Sequence, residues 1–240
     1  MSSTREARYR RHATLLEETA WSRLSSTPLV VAGLGGLGSH VAIQLVRLAP
    51  VTLELWDPAT VDAPDLGRQI LYEPADGGKP KADRAAARLG DANPQATVRA
   101  HARALDAESF FAAYPEWPSA VVLFDCLDNF AARRGLEQVQ AQLWQAGVSC
   151  PIFHGGVESW YGQVTTLLPA GGGYTRAFGE GYDRGPEAAK PIMPHVVATV
   201  AAQQVGELIA WVQDPAATPL SSTLLLYDGR EMHTRRVRLE

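Results

Sequence analysis

At 240 residues, 46% apolar and 20% charged, the chain has enough apolar material for one substantial core and lacks the composition of a disordered protein. Its formal net charge of −4 excludes a global attraction to nucleic acid or to an anionic membrane. The opening residues are charged without an apolar h-region, and no uninterrupted apolar stretch reaches about 18 residues, so a cytoplasmic protein that does not cross a membrane is expected.

In chain order, residues 1–26 are expected to form a helical N-terminal arm. Apolar runs at 27–33 ("TPLVVAG"), 51–57 ("VTLELWD"), 96–102 ("ATVRAHA") and 119–127 ("SAVVLFDCL") then read as buried strands. Ala-rich segments at helical spacing lie between and after them, near 36–48, 79–91, 106–114 and 129–146. The last of these places Leu136, Val139, Leu143 and Ala146 on one face. This alternation predicts an α/β fold, a Rossmann-like and mainly parallel sheet with helices on both faces.

Residues 151–169 predict two more strands joined by a short turn. Residues 170–191 are rich in Gly, Pro and charge and predict a mobile crossover loop with a functional role. Pro194 opens a strongly periodic helix, and the chain closes on two strands around Asp228-Gly229, which extend the sheet in antiparallel fashion. With no repeat and no linker, 1–240 is expected to be a single domain.

The stretch "GLGGLGS" at 33–39 stands between a strand and a helix, the context in which G-x-G-x-x-G carries meaning. Gly33 makes the tight turn, Gly35 lets the backbone approach a phosphate, and Gly38 lets helix and strand pack closely. Backbone N–H groups and the helix N-terminus then face an anion. Asp57 ends the second strand, where an acidic side chain of such a unit accepts hydrogen bonds from ribose hydroxyls. These residues predict an adenine nucleotide site and leave open whether the ligand is a dinucleotide or a triphosphate.

The following residues bear on that choice. Arg68 and Lys81 flank a loop just after Asp57 and can converge on a polyphosphate, Arg as a fork and Lys as a point charge. Asp128 lies just past the fourth strand's apolar run, and a carboxylate there can hold Mg²⁺ bridging phosphate oxygens. Two cations, a metal-binding acid and a glycine cradle suit triphosphate cleavage.

The segments "RYRRH", "GLGGLGSHVA", "WDPATVDAPDLGRQIL", "GKPKA", Asn93-Pro94, "DCLDNFAAR" and "GVESWYGQVTTLLP" occur in an order that resembles the E1-like adenylyltransferases, the family of the ThiF, MoeB and HesA proteins. The resemblance runs from about Arg8 to the helix ending near Trp211. It implies that ATP lies on Gly33, Gly35, Gly36 and Gly38, with Asp57 on the ribose, Arg68 and Lys81 on the phosphates, Gln69 shaping the same pocket, and Asp128 on Mg²⁺. It also implies adenylation of the C-terminal carboxylate of a ubiquitin-like or sulfur-carrier protein or peptide. Arg11 matches an arginine that reaches the triphosphate from the neighbouring subunit, so a homodimer is implied.

The sequence departs from that family in four places. Asp65 stands where Asn is common, which suggests either a second metal-facing acid or a weakened ATP site. Ala59 replaces a second acid. Both zinc-binding Cys-x-x-Cys pairs are absent from a chain with only Cys126 and Cys150, so no structural zinc is expected. Residues 160–240 contain no cysteine, so no thioester is expected in the crossover loop. A non-catalytic scaffold that binds a ubiquitin-like partner is therefore the alternative, with an NAD-dependent oxidoreductase behind it.

Other candidates read as structural. Cys126 and Cys150 predict buried small apolar groups. His154, placed at a strand end, predicts a backbone-satisfied ring more readily than a group lining a carboxylate channel. Tyr114, Trp117 and Trp144 predict core or dimer contacts, and the arginines of "RRVRLE" predict a solvated edge.

Overall fold

A computed structural model describes residues 7–114, 116, 118–171, 173–179, 191–216 and 218–239. The expectations for Trp117 and for most of the second half of the 170–191 stretch lie outside the described residues. Eight strands form one sheet: β1 (Leu29–Ala32), β2 (Thr52–Trp56), β3 (Thr97–His101), β4 (Val122–Asp125), β5 (Ile152–Glu158), β6 (Tyr161–Leu167), β7 (Thr223–Asp228) and β8 (His233–Arg238). Their order is β3-β2-β1-β4-β5-β6-β7-β8. The first five in space run parallel, and β6, β7 and β8 join antiparallel.

β1 and β4 are buried at every position, which explains why they read as continuous apolar runs: helices cover both faces. Leu29 and Val31 point into one core, shared with α1 (Glu18–Ser26), α2 (Gly36–Leu48), α3 (Lys81–Ala92) and α7 (Pro194–Gln213). Val30 and Ala32 point into the other, shared with α4 (Ala107–Ala113), α5 (Phe130–Gln145) and α6 (Gly173–Phe178). On α5, Leu136, Val139 and Leu143 are buried as their spacing predicts, each burial contributing about 1.5–3 kcal/mol. Ala146 does not join them; α5 stops at Gln145 and Ala146 is exposed.

Local chemistry trims other expected boundaries. The fourth strand ends at Asp125 instead of Leu127, because the Asp125 side chain takes the Leu127 N–H at 3.0 Å and turns the chain. His154 lies inside β5, not at its end, and is 1% exposed. The 170–191 stretch contains an ordered helix, α6, whose Tyr174 is fully buried; a six-residue helix is too short to show a period. No helix among the described residues is long and apolar enough to cross a membrane.

Candidate functional site

β1 is hydrogen-bonded to β2 on one side and β4 on the other. The chain runs outward from β1 to β3 and then returns to β4, so the crevice beyond the carboxyl ends of β1 and β4 is the switch point where open α/β sheets bind ligands. The glycine turn lies there. Gly33 has φ +87°, and a Cβ on it would sit 2.7 Å from the Cys126 carbonyl oxygen; a Cβ on Gly38 would sit 1.8 Å from the Gly33 oxygen. Both positions exclude a side chain. Gly35 and Gly36 are different: a Cβ on Gly35 would meet only Gln69 Nε2, at 3.7 Å, and one on Gly36 would have Arg68 Cγ at 3.7 Å beyond its contacts with Val197. The N-terminus of α2 carries no side-chain cap and no acidic residue in its first turn, leaving its amides suited to an anion.

Asp57 braces this turn. Its Oδ2 accepts the Leu34 N–H and its Oδ1 accepts the Ala59 N–H, both at 2.7 Å. Burial pushes its pKa above the usual carboxylate range, the two backbone bonds and the Lys81 charge pull it down, and the Asp128 charge pushes it up again. Lys81 and Asp128 therefore act electrostatically on the same carboxylate. Tyr72 donates its hydroxyl to the Leu34 carbonyl at 2.8 Å, and burial keeps that hydroxyl protonated.

Asp57, Ala59 and Lys81 are also linked through the main chain, because the Lys81 N–H donates to the Ala59 carbonyl at 2.9 Å. The 3₁₀ turn Ala63–Gly67, capped by Asp62, carries Asp65 and delivers Arg68 and Gln69 to the glycine turn. Lys81 Nζ lies 2.9 Å from Asp65 Oδ2, Gln69 Nε2 donates to Asp65 Oδ1 at 2.6 Å, and an Arg68 guanidinium nitrogen is 3.7 Å from Asp65 Oδ1. Asp65 is thus turned onto its own chain's donors. The buried Gln69 Oε1 has no partner among the described residues.

Asp128 is exposed and receives the Asn129 amide at 3.2 Å, while Asn129 also caps α5 through Ala132. Three residues earlier is a cluster that the sequence did not reveal. Asp125 Oδ2 accepts His154 Nδ1 at 2.5 Å, the Tyr174 hydroxyl at 2.7 Å and Arg133 Nε at 3.2 Å. Burial alone would raise the Asp125 pKa, but Arg133 and His154 hold it down at about 2. Burial pushes the His154 pKa below its ordinary value. Arg133 also donates to the Leu127 carbonyl at 2.6 Å, so the Asp125 cluster fixes both peptide groups of Leu127, next to Asp128. The available signal was an acid at the carboxyl end of a parallel strand with an arginine on the helix that follows.

Arg11 is exposed and stands apart from this crevice. Its neighbours Tyr9 and His12 bond to Asn93 and to the Leu48 carbonyl, at the C-terminal ends of α3 and α2. The glycine turn is at the other end of α2, about 18 Å away along the axis. Cys126 and Cys150 are buried, and burial pushes both thiols up, Cys150 to about 12. Tyr114 bonds to Glu54 and His101 as a partly buried structural residue, whereas Trp144 is 51% exposed. Arg235, Arg236 and Arg238 are exposed on edge strand β8.

The ThiF family model matches residues 9–240. The SAMP-activating enzyme E1 of Haloferax volcanii is 30% identical over 97% of this chain and 84% of its own length. The sulfur carrier protein ThiS adenylyltransferase of Escherichia coli is 28% identical over 90% of this chain and 84% of its own. Among solved structures, Escherichia coli MccB with ATP has the same fold, with TM-score 0.78 and 18% identity over 99% of this chain and 72% of that one. The glycine turn, the acid after β2 and the paired cations thus sit in a chain matched along nearly its whole length, and the chain belongs to the ThiF family.

Proposed function

We propose that the chain is an adenylyltransferase that uses ATP to activate the C-terminal carboxylate of a small ubiquitin-like or sulfur-carrier protein, or of a peptide, releasing pyrophosphate. The observation that carries this reading is that Gln69 and Arg68 stand beside Gly35 and Gly36 while Lys81, joined to Gln69 through Asp65, acts on Asp57 next to the same turn. The names of the relatives from Haloferax volcanii and Escherichia coli describe activation of SAMP and adenylation of a sulfur carrier.

In this reading Gly35, Gly36 and Gly38 present main-chain amides to the phosphates, Gly33 shapes the turn with its own N–H held by the Trp56 carbonyl at 2.8 Å, Asp57 accepts from the ribose, and Gln69 shapes the pocket. The substrate carboxylate is already ionised. One of its oxygens forms a bond to the α-phosphorus, the bond to the bridging oxygen of the β-phosphate breaks, and pyrophosphate leaves with that electron pair. No protein nucleophile is needed; Arg68 and Lys81 align the phosphates and neutralise the charge that gathers on the leaving group.

Mg²⁺ fits the residues present. Asp128 offers one exposed carboxylate, and among the described residues no cluster of three or more His, Cys, Asp or Glu side chains forms a self-sufficient cage. One protein carboxylate beside a polyphosphate suits Mg²⁺, which Asp128 would hold and which would supply positive charge to offset that of the phosphates. Arg11 cannot reach the glycine turn of its own chain, so its proposed contact with the triphosphate comes from the partner in a homodimer. With Cys126 and Cys150 buried, the acyl-adenylate passes directly to an outside amine, thiol or sulfide, or to a partner.

Exchange of labelled pyrophosphate into ATP, measured with candidate carriers and peptides, tests the proposal: substrate-dependent exchange supports it, and no exchange together with no ATP binding rejects it. A non-catalytic scaffold draws support from the Asp65–Lys81 pair and would show no Mg²⁺-dependent ATP affinity in calorimetry. An NAD-dependent oxidoreductase leaves Arg68, Lys81 and Asp128 without a role and would change NADH fluorescence on mixing.

A further inference from the structure

Asp65 occupies an unusual electrostatic position. Its carboxylate accepts from Lys81 at 2.9 Å, Gln69 at 2.6 Å and the Asp62 N–H at 3.0 Å, and Arg68 stands 3.7 Å away. Two of these four, Arg68 and Lys81, are the side chains assigned above to the nucleotide phosphates, and Gln69 is assigned to the same pocket. Lys81 and Asp65 are 8% exposed as residues, so water screens the pair weakly. Oδ2 is held by Lys81 and the Asp62 N–H and Oδ1 by Gln69, with Arg68 farther off, so Asp65 is engaged by its own chain's donors.

We propose that Asp65 is an internal stand-in for nucleotide phosphate: it gathers Arg68, Gln69 and Lys81 into one arrangement before ATP arrives and then competes with the phosphates for Lys81. The inference rests on the adenylation reading and adds to it a residue that sets how tightly the polyphosphate is held. Two opposing effects follow from one carboxylate. Gathering the donors lowers the reorganisation needed on binding. A full negative charge within hydrogen-bonding distance of the cation subtracts from the attraction that the cation offers to a second anion.

The charge effect dominates. A neutral side chain of the same shape retains one hydrogen-bond acceptor, so part of the gathering survives replacement while the repulsion disappears. Asp65 therefore lowers affinity for ATP most where nothing else neutralises the triphosphate, and less where Mg²⁺ does. A nucleotide without β- and γ-phosphates avoids the competition, so Asp65 narrows the difference in affinity between ATP and AMP.

The test is calorimetric titration of the whole chain, as wild type, Asp65→Asn and Asp65→Glu, with ATP and with AMP, each with and without Mg²⁺. Asp65→Asn is expected to bind metal-free ATP about tenfold more tightly than wild type, with a smaller gain in Mg²⁺. AMP affinity is expected to stay level, which also reports an intact fold and glycine turn. Asp65→Glu keeps the charge and is expected to show no gain. The inference is overturned if Asp65→Asn binds ATP no more tightly while AMP binding is intact, or if Asp65→Glu gains as much as Asp65→Asn. Absence of ATP and AMP binding in both wild type and Asp65→Asn, with both folded by circular dichroism, overturns the adenylation reading instead.

Discussion

His154 donates from Nδ1 to Asp125 Oδ2 at 2.5 Å, and both side chains are almost fully sealed from solvent. The same oxygen takes the Tyr174 hydroxyl and Arg133 Nε, so one carboxylate ties together β4, β5, α5 and α6. Replacing Asp125 by Asn strips the counter-charge from an arginine whose side chain is only 14% exposed. A buried ion pair broken on one side costs about 3–5 kcal/mol, which for a chain of this size lowers Tm by about 6–20 °C. Tyr174→Phe removes one hydrogen bond and leaves the charges matched, so its loss is about 1–2 kcal/mol. Scanning calorimetry of the two variants checks the ordering; equal losses would mean that the charge of Asp125 adds nothing.

The same pair predicts how stability responds to acid. The folded-state pKa of His154 is below its ordinary value, so under about pH 6.5 the unfolded chain takes up a proton that the folded chain refuses, and stability falls as pH drops. Asp125 is held at about 2, below the ordinary carboxylate value, so its stabilisation is complete above about pH 4 and is lost as pH falls through the interval down to its folded value. Asp57 and Glu207, a buried acid on α7, are shifted upward by burial and act with the opposite sign in mild acid. Comparing wild type with His154→Gln cancels those shared groups. Melting temperatures between pH 7.5 and 5 should fall more steeply for wild type than for the variant, and parallel curves would remove His154 as the cause.

Legibility in the sequence followed the range of the constraint. The glycine turn was readable because its requirement is local: Gly38 must lack a side chain so that α2 can begin against the Gly33 carbonyl, and spacing alone states this. Strands β1 and β4 were readable because burial on both faces leaves a continuous apolar run. The Asp65–Lys81 pair was hidden, since it depends on the stretch from Arg68 to Pro80 folding back to bring α3 beside the Ala63–Gly67 turn. His154 gave no sign of its true partner, because Asp125, Arg133 and Tyr174 come from three other elements and only the sheet register places them around one oxygen. Gly38→Ala is accordingly expected to abolish nucleotide binding and lower Tm, whereas Gly35→Ala, which meets only Gln69 at 3.7 Å, should fold and bind weakly. Calorimetric ATP titration and melting of both variants separate the two roles.

Asp128 is expected to govern the metal requirement without supporting the fold. Its side chain is exposed and its carboxylate holds only the neighbouring Asn129 amide among the bonds described, so Asp128→Ala should melt within about 1 kcal/mol of wild type. Metal-free ATP should bind as well as before or slightly better, because a negative charge near Asp57 is gone. Pyrophosphate exchange in Mg²⁺ should fall by about a hundredfold or more. A Mg²⁺ titration in which the variant reaches wild-type exchange at the same concentration would dismiss Asp128 as the metal-binding acid.

Arg11 and Asp128 together offer a sharper test, one that asks whether the site is shared between two copies. Arg11 sits by the C-terminal ends of α2 and α3, with His12 bonded to the Leu48 carbonyl, while Asp128 belongs to the crevice at the other end of the molecule's helices. If Arg11 acts on the partner's nucleotide, Arg11→Ala and Asp128→Ala should each be inactive as homodimers. In a mixed dimer one site keeps both groups, Asp128 from the Arg11→Ala copy and Arg11 from the Asp128→Ala copy, and the other site loses both. Random exchange makes half the dimers mixed with one of two sites intact, so mixing the variants should restore about a quarter of wild-type pyrophosphate exchange. The restored rate should rise with the time allowed for subunit exchange and vanish on dilution below the dimer constant. If both single variants are inactive and a mixture shown by native mass spectrometry to contain the mixed dimer stays inactive, Arg11 does not complete its partner's site.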